Sequence, residues 1–223
     1  MEGLSNGGQP VIFPQESDFL IAELVNLAHD VYLLRKSEHL KQVLTNYVLE
    51  DNSRSEYFLN SKDKNMVILV FKDEYLFAKE ATARVNCLRK RLNKSETEGL
   101  FGLIIEVNYH LLGNYEKTDK FIQLIKDLFL KISTLLAKRL DELLKNQPLI
   151  THLKFLAVRI LKKERDPAAH EPAIYEHIKK TYRKSFESAE NIRLFISETY
   201  SFQLSKNEMS YLALHLNKLI EII

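Results

Sequence analysis

The side chains with chemistry to offer in this 223-residue sequence are seven histidines, His29, His39, His110, His152, His170, His177 and His215, and one cysteine, Cys87. A neutral imidazole is a nitrogen nucleophile and a base near neutral pH, because its ordinary pKa is about 6.5. His170 and His177 are seven apart, in and after a Pro-bounded stretch. They lack the i,i+4 step of helical metal ligands and any third candidate nearby, so both are expected to face solvent. His152 opens THLKFLAVR beside an apolar stripe, with Arg159 two turns on and so on its face, and Lys154 close in sequence. His215 closes SKNEMSYLALH, shares a face with Tyr211 and Lys218, and borders Leu212 and Leu219. From position alone, the plainer reading of both rings is packing at a core edge.

No other catalytic constellation accompanies them. The sequence has no GxxxxGK[ST] phosphate loop, no GxGxxG after a strand, no HExxH and no GxSxG. Cys87 falls in a leucine-flanked helical context, where a lone cysteine is expected to be buried as packing. It cannot form an internal disulfide, and with no cysteine cluster to grip zinc or iron–sulfur, no metal and no cofactor are expected. Arg89, Lys90 and Arg91 form a basic cluster read as a solvated helix end. With 32 basic against 30 acidic residues, the chain has no field to hold it on nucleic acid or an anionic membrane. Residues 151–193 are mildly basic, ten Lys and Arg against six Asp and Glu, a weak basis for nucleic-acid contact. No run of about 18 apolar residues and no secretory leader are visible, so a cytoplasmic location in a reducing compartment is expected.

The elements that must position these rings read as helices throughout. Three of the six glycines fall in the first eight residues, so the rest of the chain has little of the residue that serves tight turns. Residues 1–16 read as a flexible lead or an appended remnant. A first stripe runs Phe19, Ala22, Leu24, Val25, Ala28, Val31 and Tyr32, and a second helix is expected over Glu38–Leu49. Residues 50–65 are polar and read as a loop or insertion. MVILVF, residues 66–71, could be a buried strand, but Leu69, Leu76, Ala81, Val85, Leu88 and Leu92 favour one long helix. Further helices are expected over Glu96–Leu112, Thr118–Lys145, Leu149–Lys163, Ala173–Arg183 and Ser188–Tyr200. The last begins at Ser205-Lys206-Asn207-Glu208, a capping box. The expected architecture is all-α, two consecutive helical bundles over 17–112 and 118–223.

Two segments together are specific. LITHLKFLAVR (149–159) followed by QLSKNEMSYLALH (203–215), with 63 residues between the histidines, resembles the phosphotransferase-system regulation domain, or PRD. This helical module occurs in duplicate in sugar-responsive bacterial antiterminators and activators. KTDKFIQLIKDLF (117–129) fits the first helix of the second copy. ETEGLFGLIIEVN (96–108) matches the outline of the end of the first copy, with Ile104 where its second histidine would stand. AHDVYLLRK (28–36) places His29 near its first, and KDEY (72–75) falls where the family has a YPEE-like segment. The first copy is therefore expected to be degenerate, with an insertion near 51–65.

The resemblance implies a regulatory module, not an enzyme. It implies that His152, His215 and His29 accept phosphoryl groups from the phosphocarrier protein HPr or a sugar-specific enzyme IIB, with Arg159, Lys154 and Tyr211 in support. It implies a homodimer whose rearrangement carries the signal, with no direct nucleic-acid contact by this chain and no membrane. The family's RNA- or DNA-binding domain has no counterpart before Ser17, so a regulatory fragment of a longer protein, or a stand-alone relative, is expected.

Overall fold

The computed structural model describes residues 14–49, 64–89, 95–109, 111, 115–164 and 172–221, and among them there are eleven helices and no strand. The chain divides into two compact units, Met1–Thr118 and Asp119–Ile223. The first contains α1 (Pro14–Asp30), α2 (Glu38–Leu49), α3 (Lys64–Val70), α4 (Lys72–Arg89) and α5 (Ser95–Asn108). Here α1 packs on α2 and α4, and α5 packs on α2 and α4. The buried face of α1 is Ser17, Leu20, Ile21, Leu24 and Ala28. Phe19 is 74% exposed and Val31 62%, so the expected stripe is corrected by rotation. Two overlapping helical spacings share Leu24 and Ala28, and the aliphatic one won the core.

The strand alternative for residues 66–71 is not realised, but neither is one unbroken helix. The helix is interrupted at Phe71, while Phe71 N–H still reaches Val67 O at 2.9 Å and Tyr75 N–H reaches Phe71 O at 3.0 Å. The buried stripe Val67, Val70, Phe71, Phe77, Ala78, Ala81, Val85 therefore runs through the interruption, and Leu69 and Leu76 face outward. Cys87 is exposed, which corrects its expected burial. Val85 carries the inward face of that turn, and a residue two positions on falls on the other side. Residues 64 and 65 belong to α3 rather than to a loop, and the rest of the expected insertion lies outside the described residues. Helix α5 stops at Asn108 rather than Leu112; Leu111 N–H turns back to Glu106 O at 2.8 Å.

The second unit is built on α6 (Tyr115–Leu136), whose first turn holds the boundary, then α7 (Leu140–Leu143), α8 (Gln147–Lys162), α9 (Pro172–Thr181), α10 (Arg183–Tyr200) and α11 (Lys206–Glu221). Phe121, Leu124, Ile125, Leu128, Phe129 and Ile132 form the buried face of α6. That helix ends at Leu136 instead of running to Lys145, because Ala137 takes a left-handed φ of 49°. Ser133 Oγ closes the end by donating to Lys138 O at 2.6 Å. Asn146 caps α8, accepting from Leu149 N–H at 3.0 Å, with Pro148 in the first turn where its missing N–H costs nothing. Helix α10 starts five residues earlier than expected, leaving only Tyr182 between α9 and α10. Helix α11 packs against α8, α9 and α10, which fixes the two elements that carry the rings.

Candidate functional site

Helix α8 turns Leu149, Leu153, Leu156, Ala157 and Ile160 into the core, so His152, one residue before Leu153, sits at the edge of that stripe. Helix α11 buries Met209, Leu212, Ala213, Leu216 and Leu219, which leaves His215, one residue before Leu216, at the edge of its own. Packing α8 against α11 brings these edges together. The two imidazole rings lie 4.9 Å apart by centroid, tilted by 33°, and both are half-buried. Tyr211, one turn before His215, places its ring 6.4 Å from His152 and is 58% exposed. Nε2 of His152 and Nδ1 of His215 are shut from solvent and carry no hydrogen bond.

This environment sets the protonation state. Burial, then the neighbouring His215, then Arg159 push the His152 pKa down from 6.5 to about 4. His215 is also lowered, by burial first and then by Lys218. Both rings are neutral near pH 7, and a neutral ring keeps the lone pair that a nucleophile needs. Among the described residues, no three His, Cys, Asp or Glu side chains come close enough together to hold a metal ion.

Arg159 lies on the face of His152, but its Nε is already committed, donating to Glu208 Oε1 at 2.7 Å. Glu208 is 2% exposed and is the same residue that closes the capping box. Its other oxygen accepts from Ser205 N–H at 2.9 Å, while Ser205 Oγ accepts from Glu208 N–H at 3.1 Å. The capping box was legible in sequence; the buried partner of Arg159 was not. Lys154 is half-buried and only two residues from His152, a spacing that does not face it on a helix, whereas Arg159 lies on its face.

The first unit repeats part of this plan. Ser37 caps α2 by accepting from Leu40 N–H at 3.1 Å, as Asn146 caps α8 through Leu149. The buried residues of α2, Leu40, Leu44, Tyr47 and Val48, then fall at the same offsets as Leu149, Leu153, Leu156 and Ala157. The position of His152 corresponds to Val43 on α2. His29 stands instead in the last turn of α1, exposed, its Nδ1 2.8 Å from Asp30 Oδ1. Ile104 is buried in α5. KDEY opens α4, where Glu74 is buried and accepts at Oε1 from Tyr109 Oη at 2.8 Å and from Asn108 Nδ2 at 3.0 Å. Of the remaining histidines, His39 and His177 are exposed, and His170 and His110 lie outside the described residues.

Residues 126–219 match the family model of the PRD domain, which is most of the second unit. The chain is also 25% identical over 158 residues to the transcription antiterminator LicT of Bacillus subtilis (strain 168), covering 68% of this chain and 54% of the relative. It thus spans about half the length of that curated relative. Both descriptions are those of regulators and neither is that of an enzyme.

Proposed function

We propose that this chain, whose residues 126–219 match the family model of the PRD domain, is the regulatory part of a sugar-responsive transcriptional antiterminator, switched by phosphorylation of His152 and His215. The observation that carries the reading is the meeting of the two rings: residues 63 apart in the chain stand 4.9 Å apart, neutral, at a solvent-reaching edge. The donors are HPr or a sugar-specific enzyme IIB, each carrying its phosphoryl group on a side chain of its own. With HPr, a neutral ring nitrogen here attacks phosphorus, the donor's P–N bond breaks, its electron pair returns to the donor ring, and that ring takes up the proton the acceptor ring gives up. A phosphoryl group then adds about −1.5 to −2 charge beside an apolar seam where two histidines were neutral. That change biases a homodimer between arrangements. Phe155 and Tyr211, 57% and 58% exposed beside the rings, offer the apolar surface a second copy would use.

The test is phosphoryl transfer from phosphoenolpyruvate through enzyme I and HPr, with site mapping by mass spectrometry. Label is expected at His152 and His215 and none at His29, whose place on α1 does not correspond to either ring. Equal labelling after both His152 and His215 are changed to alanine, or no label in the native chain, removes the reading. The alternative is a helical dimerisation scaffold that keeps the fold without regulation. The apolar residues Val43 and Ile104 favour it for the first unit only. It expects the double alanine variant to dimerise as the native chain does, with or without the donors.

A further inference from the structure

We infer that Arg159 is the group that receives the phosphate of a phosphorylated His152, and that buried Glu208 is the positioning residue that aims it. A phosphoryl group on His152 is thereby tied, through Arg159 and Glu208, to the first turn of α11. This rests on the reading that His152 accepts phosphoryl groups.

Four observations converge. Arg159 is two turns C-terminal to His152 on α8, helical side chains lean toward the N-terminus, and its charge acts on the His152 ring, so the guanidinium is within electrostatic reach of it. Its Nε is fixed on Glu208 Oε1 at 2.7 Å, and Glu208 is itself held at its second oxygen by Ser205 N–H. Glu208 is 2% exposed against 27% for the Arg159 side chain, so the anion is anchored inside and the cation points outward from it. Finally, no acceptor among the described residues engages the terminal amino groups of Arg159, the planar end of a fork that matches phosphate oxygens two at a time. The cation felt by His215 is a different one, Lys218 on its own helix. Each ring has its own countercharge, and only that of His152 crosses between helices.

In the unphosphorylated chain, Arg159 ties α8 to α11 through Nε, its one hydrogen bond among the described residues. Once His152 is loaded, the same guanidinium binds phosphate through its terminal amino groups while Nε stays on Glu208. The link between α8 and the cap of α11 gains an anion at one end and loses nothing at the other.

Potassium phosphoramidate phosphorylates the full chain without donor proteins: a ring nitrogen attacks phosphorus, the P–N bond breaks, and ammonia leaves with the proton the ring gives up. Phosphorus NMR then follows the ionisation of each phosphohistidine. In the native chain, the phosphoryl group on His152 should ionise about one pH unit lower than in Arg159→Gln, because an adjacent guanidinium favours the dianion. Arg159→Lys should recover part of the shift and Glu208→Gln should lose part of it. The group on His215 should move in none of the three. Hydrogen exchange adds a measurement on the native chain alone: protection of amides 206–210 should rise at least threefold on phosphorylation. An unchanged midpoint in Arg159→Gln, an equal shift at both histidines, or protection that stays level or falls would overturn the inference. Loading by phosphoramidate but not by HPr or enzyme IIB overturns the functional reading and leaves this one standing; a His152 that takes phosphate from neither overturns both.

Discussion

A half-buried imidazole whose pKa falls from 6.5 to about 4 makes folding sensitive to mild acid. Between those values the unfolded chain binds a proton that the folded chain refuses, so stability rises with pH across the window. The contribution is complete above about pH 6.5 and is lost as pH falls toward 4, up to about 3 kcal/mol at 1.36 kcal/mol per unit and less where water reaches the rim. Hydrogen exchange of the α8 and α11 core amides at pH 7 and pH 4.5 should show it, and His152→Gln should flatten the difference. A variant with the full native pH dependence would show that His152 does not titrate as described. The His152–His215 pair was legible only through the resemblance of two separate segments to the PRD, since position alone gave two core-edge rings. The partner of Arg159 was not, because Glu208 already had a sufficient local reason to exist as a cap, and nothing in a capping box announces a second, long-range contact. Cys87 was misplaced for a related reason: a leucine-rich context says that a helix has a buried face, not which side a given residue takes. Exposed on α4, it should react with maleimide in the native state at a rate near that of an unfolded control.

The helices themselves could be read, whereas several of their ends could not. Glycine is the usual residue at a left-handed helix end, yet the four non-glycine residues with positive φ among the described ones, Leu33, Ala137, Lys163 and Ser201, follow α1, α6, α8 and α10. Periodicity therefore ran straight through Ala137 and joined α6 to α7. Termination there depends on tertiary packing and on Ser133 Oγ bonding Lys138 O, neither of which has a local signature. A left-handed alanine costs about 1 kcal/mol that glycine does not, partly offset by the extra freedom glycine gains when unfolded. Ala137→Gly should thus stabilise the chain by about 0.5 kcal/mol, whereas Ala137→Val should destabilise it by more than about 1 kcal/mol, since branching at Cβ worsens the same clash. Urea unfolding measures both, and a stabilised valine variant would contradict the left-handed assignment.

At the scale of the molecule, the repeated plan bears on where regulation resides. The cap and the buried offsets of α2 parallel those of α8, with Val43 where α8 has His152, and the resemblance to the PRD puts Ile104 where α11 has His215. A neutral methyl-bearing pair cannot accept phosphate, so the second unit should hold the switch alone. Its residues carry a complete set of helices, a buried face on each of α6, α8, α10 and α11, and the entire chain from His152 through Arg159 and Glu208 to Ser205. A span of about 100 residues with its own core is ordinary for an independently folding domain. Residues 115–223 expressed alone should therefore unfold cooperatively and take label at His152 and His215 as the full chain does. Loss of cooperative unfolding would mean that the second unit needs the first to fold. A folded fragment that takes no label, beside a full chain that does, would mean that the first unit completes the donor's docking surface and that its apolar pair marks a changed role.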